Sequence, residues 1–261
     1  MLEPLLLGRR LDDVEIRDER LTRPFDPSVI AAELEGEVVA AVGRRGKYLV
    51  VRFESGRALL VHLRMTGNFR RLDDAADESH LRAVLALDDG TRVGYRDVRR
   101  FGTWLVVEPE HLDDYLGARL GAEPLERGFG PAALAARLAN RRAPVKAAIL
   151  DQRTVAGLGN IYADEALWRA RVHPLRPAGE LAADEVRRLH TAIRRALELG
   201  IARQGATLRD YAQPDGSRGS MQLEFKVYGR GGEPCARCGT PIEKTRAGGR
   251  GTWYCPNCQR L

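Results

Sequence analysis

Between residues 14 and 107, apolar and polar positions alternate in the manner of half-buried strands. The segments KYLVVRF (47–53), ALLVHLRM (58–65), RAVLAL (82–87) and TWLVVE (103–108) are rich in β-branched residues, with turn signals such as Glu54-Ser55-Gly56 and Asp88-Asp89-Gly90 among them. Several short strands at this spacing predict a β-sandwich. Asp26 followed by Pro27 is a helix-start signal and predicts a short helix ending near Leu34. From about residue 130 the period becomes helical: PAALAARLANR, VKAAILDQ, NIYADEALWRA and ADEVRRLHTAIRRALELG carry apolar residues three and four apart. The Gly-rich, polar stretch AQPDGSRGSM (212–221) predicts an exposed mobile loop. The order describes a multi-domain α+β chain: an N-terminal β-sandwich over 1–119, a helical domain over 120–222 and a small module over 223–261.

That last module carries the strongest local chemistry. All four cysteines of the chain lie in it, as Cys235-x2-Cys238 and, after sixteen residues, Cys255-x2-Cys258. Two such knuckles supply four thiolates to one ion in a closed tetrahedral site, so the expected cofactor is a single structural Zn2+. Disulfides are the alternative; four cysteines in a short span of a chain without a secretory signal favour the metal. In so short a segment the metal replaces a missing core, at about 10–16 kcal/mol of binding free energy. Lys244, Arg246 and Arg250 between the knuckles predict a β-hairpin that presents cations.

Charge changes the picture once it is divided along the chain. Residues 1–120 carry a net −3, residues 121–200 a net +4 and residues 201–261 a net +5. A basic C-terminal half fits a polyanionic partner, although charge alone leaves DNA, RNA, a membrane surface or plain solvated surface open. Lysines are scarce, only Lys47, Lys146, Lys226 and Lys244 against 38 arginines. Where arginine is the habitual cation, a lysine is a candidate for chemistry that a guanidinium cannot do. No apolar run reaches the ~18 residues of a membrane helix, so no membrane partner is expected.

The segment VAGLGNIYADEALWRARVHP (155–174) resembles the helix–two-turns–helix of the formamidopyrimidine-DNA glycosylase and endonuclease VIII family. RRGKYL (44–49), HLRMTG (62–67), RDVRRFG (96–102), VYGRGGEPC (227–235) and the four cysteines continue the resemblance in the family's order. The purine-lesion branch is the closer one. The resemblance implies a bacterial, cytoplasmic, nucleoid-associated base-excision repair enzyme. Such an enzyme removes oxidised purines (formamidopyrimidine, 8-oxoguanine) from double-stranded DNA and cleaves abasic sites by β,δ-elimination, as a monomer. It implies that Met65, Arg99 and Phe101 fill the hole left by a flipped nucleotide, a role suited to an apolar wedge and a planar cation. Read alone, Met65 at a strand end and Phe101 are core candidates. Asn160, Arg250 and His80 become phosphate contacts; alone, Asn160 reads as a helix cap and Arg250 as a solvated cation. Lys146 matches a lysine that helps recognise the oxidised purine, against a plain reading as helix-surface charge.

Excision with strand cleavage needs an amine at the sugar C1′ to form a Schiff base. In the family this is an N-terminal proline followed by a glutamate, since an α-amino group has a pKa of ~7.7–8.0 against ~10.4 for lysine. The start MLEPLLLG matches family residues roughly a dozen positions further in, within the first helix, so Glu3 and Pro4 are not that pair. Either the reading frame opens upstream, or the chain is a shortened homologue that binds damaged DNA without cleaving it. Lys47, in RRGKYL, matches the family's second catalytic lysine; alone it reads as a strand-edge lysine. The lesion-capping loop departs from the family's Gly-x-Pro-Gly at Gly216-Ser217-Arg218-Gly219, and Glu78 stands where a second histidine near His80 is common.

Overall fold

The computed structural model describes residues 2–73, 79–208 and 216–261, so Glu78 and positions 212–215 of the polar loop lie outside the described residues. The chain divides into two compact units, Met1–Gly117 with Thr207–Gly219, and Ala118–Ala206 with Ser220–Leu261. The helical segment and the cysteine module thus share one unit. No helix among the described residues is long and apolar enough to cross a membrane.

In the first unit α1 (Glu3–Leu6) precedes β1 (Leu11–Ile16) and α2 (Pro27–Leu34). Asp26 caps α2 as the sequence predicts, its carboxylate accepting from Ser28 N–H at 2.8 Å. Then come β2 (Val39–Arg45), β3 (Tyr48–Phe53), β4 (Ala58–His62), β5 (Asn68–Leu72), β6 (Leu81–Leu87), β7 (Arg92–Arg96) and β8 (Thr103–Val107), with α3 (Pro109–Gly117) last. The strands form two antiparallel four-stranded sheets, ordered β1-β6-β7-β5 and β2-β3-β4-β8. Val14, Leu85 and Tyr95 of one sheet and Val51, Val61 and Trp104 of the other belong to one core. That is the predicted sandwich, with central strands buried more continuously than strict alternation, as in β4, where Ala58 to Val61 are all buried. The fourth strand ends at His62, not at residue 65. Arg64 has φ 53°, a left-handed turn that takes Met65 off the strand.

In the second unit α4 (Pro131–Leu138), α5 (Val145–Leu150), α6 (Asn160–Ala170) and α7 (Ala183–Ala202) surround a core that includes Leu134, Ile149, Leu167, Leu189 and Ile193. Every residue of α6 from Ala163 to Trp168 is buried, including Asp164 and Glu165, because core lies on one side and the cysteine module on the other. The end of the expected mobile loop is ordered: Ser220 N–H donates to Arg203 O and Met221, fully buried, donates to Gly205 O, both at 2.9 Å. The hairpin is β9 (Glu243–Ala247) and β10 (Arg250–Tyr254), joined by Gly248-Gly249 with φ 55° and 75°. Two consecutive left-handed residues make the tight turn that matches strand twist. A Cβ at Gly248 would also lie 2.8 Å from the Ala147 Cβ of α5.

Candidate nucleic-acid interface and metal centre

In the first unit, two turns meet around one buried carboxylate. Asp97, 1% exposed, accepts from Phe101 N–H at 2.9 Å and Gly102 N–H at 2.8 Å through one oxygen, and from the Thr66 hydroxyl through the other. Thr66 Oγ1 accepts in turn from Arg99 N–H at 3.1 Å. Gly67 and Gly102 admit the Tyr95 phenol between them; a Cβ at either would sit 2.2 or 1.9 Å from its oxygen. Arg100, at φ 58°, clamps Asp18 with bonds of 2.6 and 2.9 Å. That pair holds the Asp18 carboxyl below its usual range.

This scaffold points three side chains outward. Met65 is 64% exposed and Phe101 51%, so neither is a core residue. The Arg99 guanidinium lies 4.8 Å from the Phe101 ring centre and 2.9 Å from the Met65 sulfur. Apolar side chains of this size gain about 1.5–3 kcal/mol each when buried. Holding two of them in water on a rigid turn leaves that gain available to a partner.

Lys47 is half-buried in the β2–β3 turn, after Gly46 at φ 58°. It neighbours His62, whose pKa burial pushes down to about 4, with Arg64 and Lys47 acting in the same direction. His62 is therefore neutral at pH 7, its Nδ1 accepting from Arg64 N–H at 3.0 Å. The His80 side chain is exposed; its carbonyl accepts from Asp97 N–H at 3.0 Å, which ties it to the wedge turn.

The second unit joins helix α6 to the hairpin. Gly159, not Asn160, occupies the cap position, and Asn160 is the first helical residue. Its Nδ2 donates to Gly251 O at 3.1 Å, which brings Asn160 to the strand that carries the exposed Arg250. The Asn160 Oδ1 is buried without a hydrogen bond, and a helix start such as that of α6 suits an anion. Lys146 is not a surface charge of α5. It is wholly buried, pairs with Asp164 at 2.7 Å and donates to Gly251 O at 2.8 Å and Thr252 Oγ1 at 2.9 Å. Burial raises the Asp164 carboxyl to about 6 against the pull of Lys146, and lowers the Lys146 ammonium. Asp164 also accepts from Trp253 N–H at 3.2 Å. One residue on, Glu165 accepts the backbone N–H groups of Lys226, Val227 and Tyr228 at 2.9–3.0 Å.

The sulfurs of Cys235, Cys238, Cys255 and Cys258 all lie within 4.8 Å of one another. A zinc tetrahedron with ~2.3 Å bonds has edges of about 3.8 Å, so the four thiolates fit one structural zinc ion. Trp168 Nε1 donates to Cys235 Sγ at 3.4 Å, and Gln259, buried, bridges Cys255 N–H to Val172 O. The module also has an apolar core of its own, Val227 and Ile242 packed with Trp168, so the metal does not stand alone in holding it.

Comparison with known proteins follows the same division. Residues 1–104 match the formamidopyrimidine-DNA glycosylase N-terminal domain, 120–212 its H2TH domain, and 232–261 the zinc finger found in FPG and IleRS. The chain belongs to the formamidopyrimidine-DNA glycosylase family. A formamidopyrimidine-DNA glycosylase from Symbiobacterium thermophilum is 47% identical over 98% of this chain and 84% of its own length. The crystal structure of MutM (Fpg) from Thermus thermophilus superposes with a TM-score of 0.88 at 43% identity, covering 99% of this chain and 94% of that one. Lactococcus lactis Fpg, in complex with DNA containing an abasic site, superposes at 0.92 with 35% identity, over 100% and 96%.

Sequence reading singles out the exposed Met65, Arg99 and Phe101 and misses what holds them. Asp97, Thr66 and Tyr95 lie inside or beside quoted motifs, and the short MTG and RFG turns signal a close approach without naming its partner. Asp164 and Glu165 stand as two adjacent acids among Ile161, Ala163, Ala166, Leu167 and Trp168, a signal of buried charge that needs partners.

Proposed function

We propose that this family member removes oxidised purines, formamidopyrimidine and 8-oxoguanine, from double-stranded DNA. It then cleaves the abasic site by β,δ-elimination through a Schiff base. The observation that carries the reading is the exposed set Met65, Arg99 and Phe101, held by the buried Asp97. A base inside a duplex is out of reach of chemistry, so its nucleotide must be extruded and the gap filled. A flexible apolar chain, an aromatic ring and a planar cation suit that gap.

Asn160, the N-terminal turn of α6 and Arg250 bind backbone phosphates, with His80 as a further contact in the first unit. Lys146 acts from inside: three protein partners hold its ammonium, so its part in purine recognition runs through the Gly251–Thr252 strand. Cys235, Cys238, Cys255 and Cys258 hold zinc, which supplies rigidity to the hairpin and takes no part in the reaction. In the family the amine that attacks C1′ is a terminal proline, which the resemblance does not place within residues 1–261. Lys47 assists departure of the base and the elimination that follows, beside a neutral His62. One chain carries both the wedge and the phosphate contacts, which supports action as a monomer on chromosomal DNA in the cytoplasm.

Borohydride reduction tests the chemistry, because it converts a Schiff base to a stable amine. The zinc-loaded protein extended to an in-frame upstream Met-Pro-Glu start is expected to be trapped covalently on duplex containing 8-oxoguanine or an abasic site. Binding without base release or trapping would reduce the activity to recognition of damaged DNA.

A further inference from the structure

Helix α6 has two working ends. Its N-terminus meets the hairpin turn through Asn160; its C-terminus opens on a cavity of about 550 Å3 between α6, α7 and the first cysteine knuckle. Arg169, Arg187, Arg188, Arg195 and Arg237 line that cavity around Trp168. At about 1.5 Å per residue the two ends lie roughly 12 Å apart along the helix.

The five guanidiniums are differently committed. Arg188 pairs with Asp184 and donates to Ala170 O at 3.2 Å. Arg237 covers the Trp168 ring at 4.2 Å and donates to Trp168 O at 3.2 Å. Arg169, Arg187 and Arg195 have no carboxylate partner among the described residues, and Arg169 Nε is buried without a hydrogen bond. Beyond Arg237 lies a second hollow of mixed charge, with Arg171 and Arg260 beside the Arg176–Glu185 pair and the C-terminal Leu261. So many unneutralised cations in a concave site call for an anion.

We propose that this cavity binds the backbone phosphates of a second stretch of DNA, apart from the one held at the N-terminus of α6. Two observations favour a backbone over a mononucleotide. Arg187 and Arg195 lie eight residues apart on α7, about 12 Å, a span of three to four nucleotides at ~3.4 Å axial rise per strand. Trp168 is buried beneath Arg237 and offers no open face on which a base stacks. Arginines without a base platform read charge and spacing rather than sequence. A protein with two such ends passes directly from one DNA segment to another.

The inference rests on the DNA-binding reading above, and a two-step titration separates their failures. Zinc-loaded full chain is saturated with a short duplex bearing a stable abasic-site analogue, then titrated with undamaged duplex at low salt. A second, weaker and strongly salt-dependent binding event is expected. Arg187→Ala/Arg195→Ala should weaken that event about tenfold and flatten its log–log salt slope by about 1.8. The first event should stay unchanged, as should both events in the control Arg20→Ala/Arg127→Ala. In stopped flow, unlabelled duplex should accelerate departure of labelled duplex from the parent and not from the cavity variant. A second event that is missing in the parent, or equally strong in the cavity variant, overturns the inference. So does displacement by ATP or an oligoglutamate as effective as displacement by duplex at equal charge. Loss of the first event in the parent would instead strike the proposed function.

Discussion

The wedge turn of the first unit and the helix–hairpin junction of the second are built around the same device and use it for opposite ends. In each, a buried carboxylate gathers backbone N–H groups: Asp97 the nearby ones of Phe101 and Gly102, Glu165 the distant ones of Lys226, Val227 and Tyr228. Around Asp97 the ordered backbone presents apolar side chains to water. Around Asp164 and Glu165 it draws the hairpin onto α6 and buries even the lysine ammonium. The first arrangement stores unspent apolar surface for a partner with a gap to fill; the second fixes where cations and N–H groups stand. Under the proposed function, filling the gap at a damaged site falls to the first region, and general grip on DNA to the second.

Four perturbations press on that division, in falling order of effect. Chelating the zinc removes on the order of 10–16 kcal/mol of metal binding from the second unit. It is expected to lower affinity for damaged and intact duplex alike, measured by titrating DNA into metal-free protein. Lys146→Met takes away the cation that faces buried Asp164 and pushes its already raised pKa further up, which costs up to about 3–5 kcal/mol in thermal or denaturant unfolding. The double change Lys146→Met/Asp164→Leu should recover most of it. Asp97→Asn replaces a charged acceptor shared by three donors and costs about 1.5–3 kcal/mol. Unlike zinc removal, it should also reduce the preference for damaged duplex.

The fourth is a pH effect. His62 in the folded protein titrates at about 4 against an ordinary 6.5, so the folded state binds fewer protons than the unfolded chain between those values. Its contribution is complete above pH 6.5 and is lost as pH falls towards 4. Since the ring is partly open to solvent, screening leaves on the order of 1–2 kcal/mol. His62→Gln should flatten the acid limb of the stability curve by that amount.

Much of this was legible in the linear order of residues, and the remainder fails for one physical reason. Periodicity and caps place β3, α2 and α6, since side-chain spacing and the Asp26-Pro27 start are local. Cysteine spacing gives the metal centre for the same reason. The buried charges depend on partners far along the chain: Lys146 on Thr252, Arg100 on Asp18, Glu165 on Tyr228. A lysine flanked by apolar helix residues reads as a surface charge until its carboxylate is found. Met65 reads as strand because nothing local marks Arg64 for a left-handed turn.

The most direct measurement compares equilibrium affinities for an abasic-analogue duplex and its intact counterpart, in the parent and in Met65→Ala/Arg99→Ala/Phe101→Ala. These side chains are exposed, so folding stability should change by no more than about 0.5 kcal/mol per site. The account predicts that the ratio of the two affinities falls at least about tenfold, roughly 1.4 kcal/mol, while binding to intact duplex is nearly unchanged. A truncated protein that still prefers damaged duplex as strongly as the parent would contradict it.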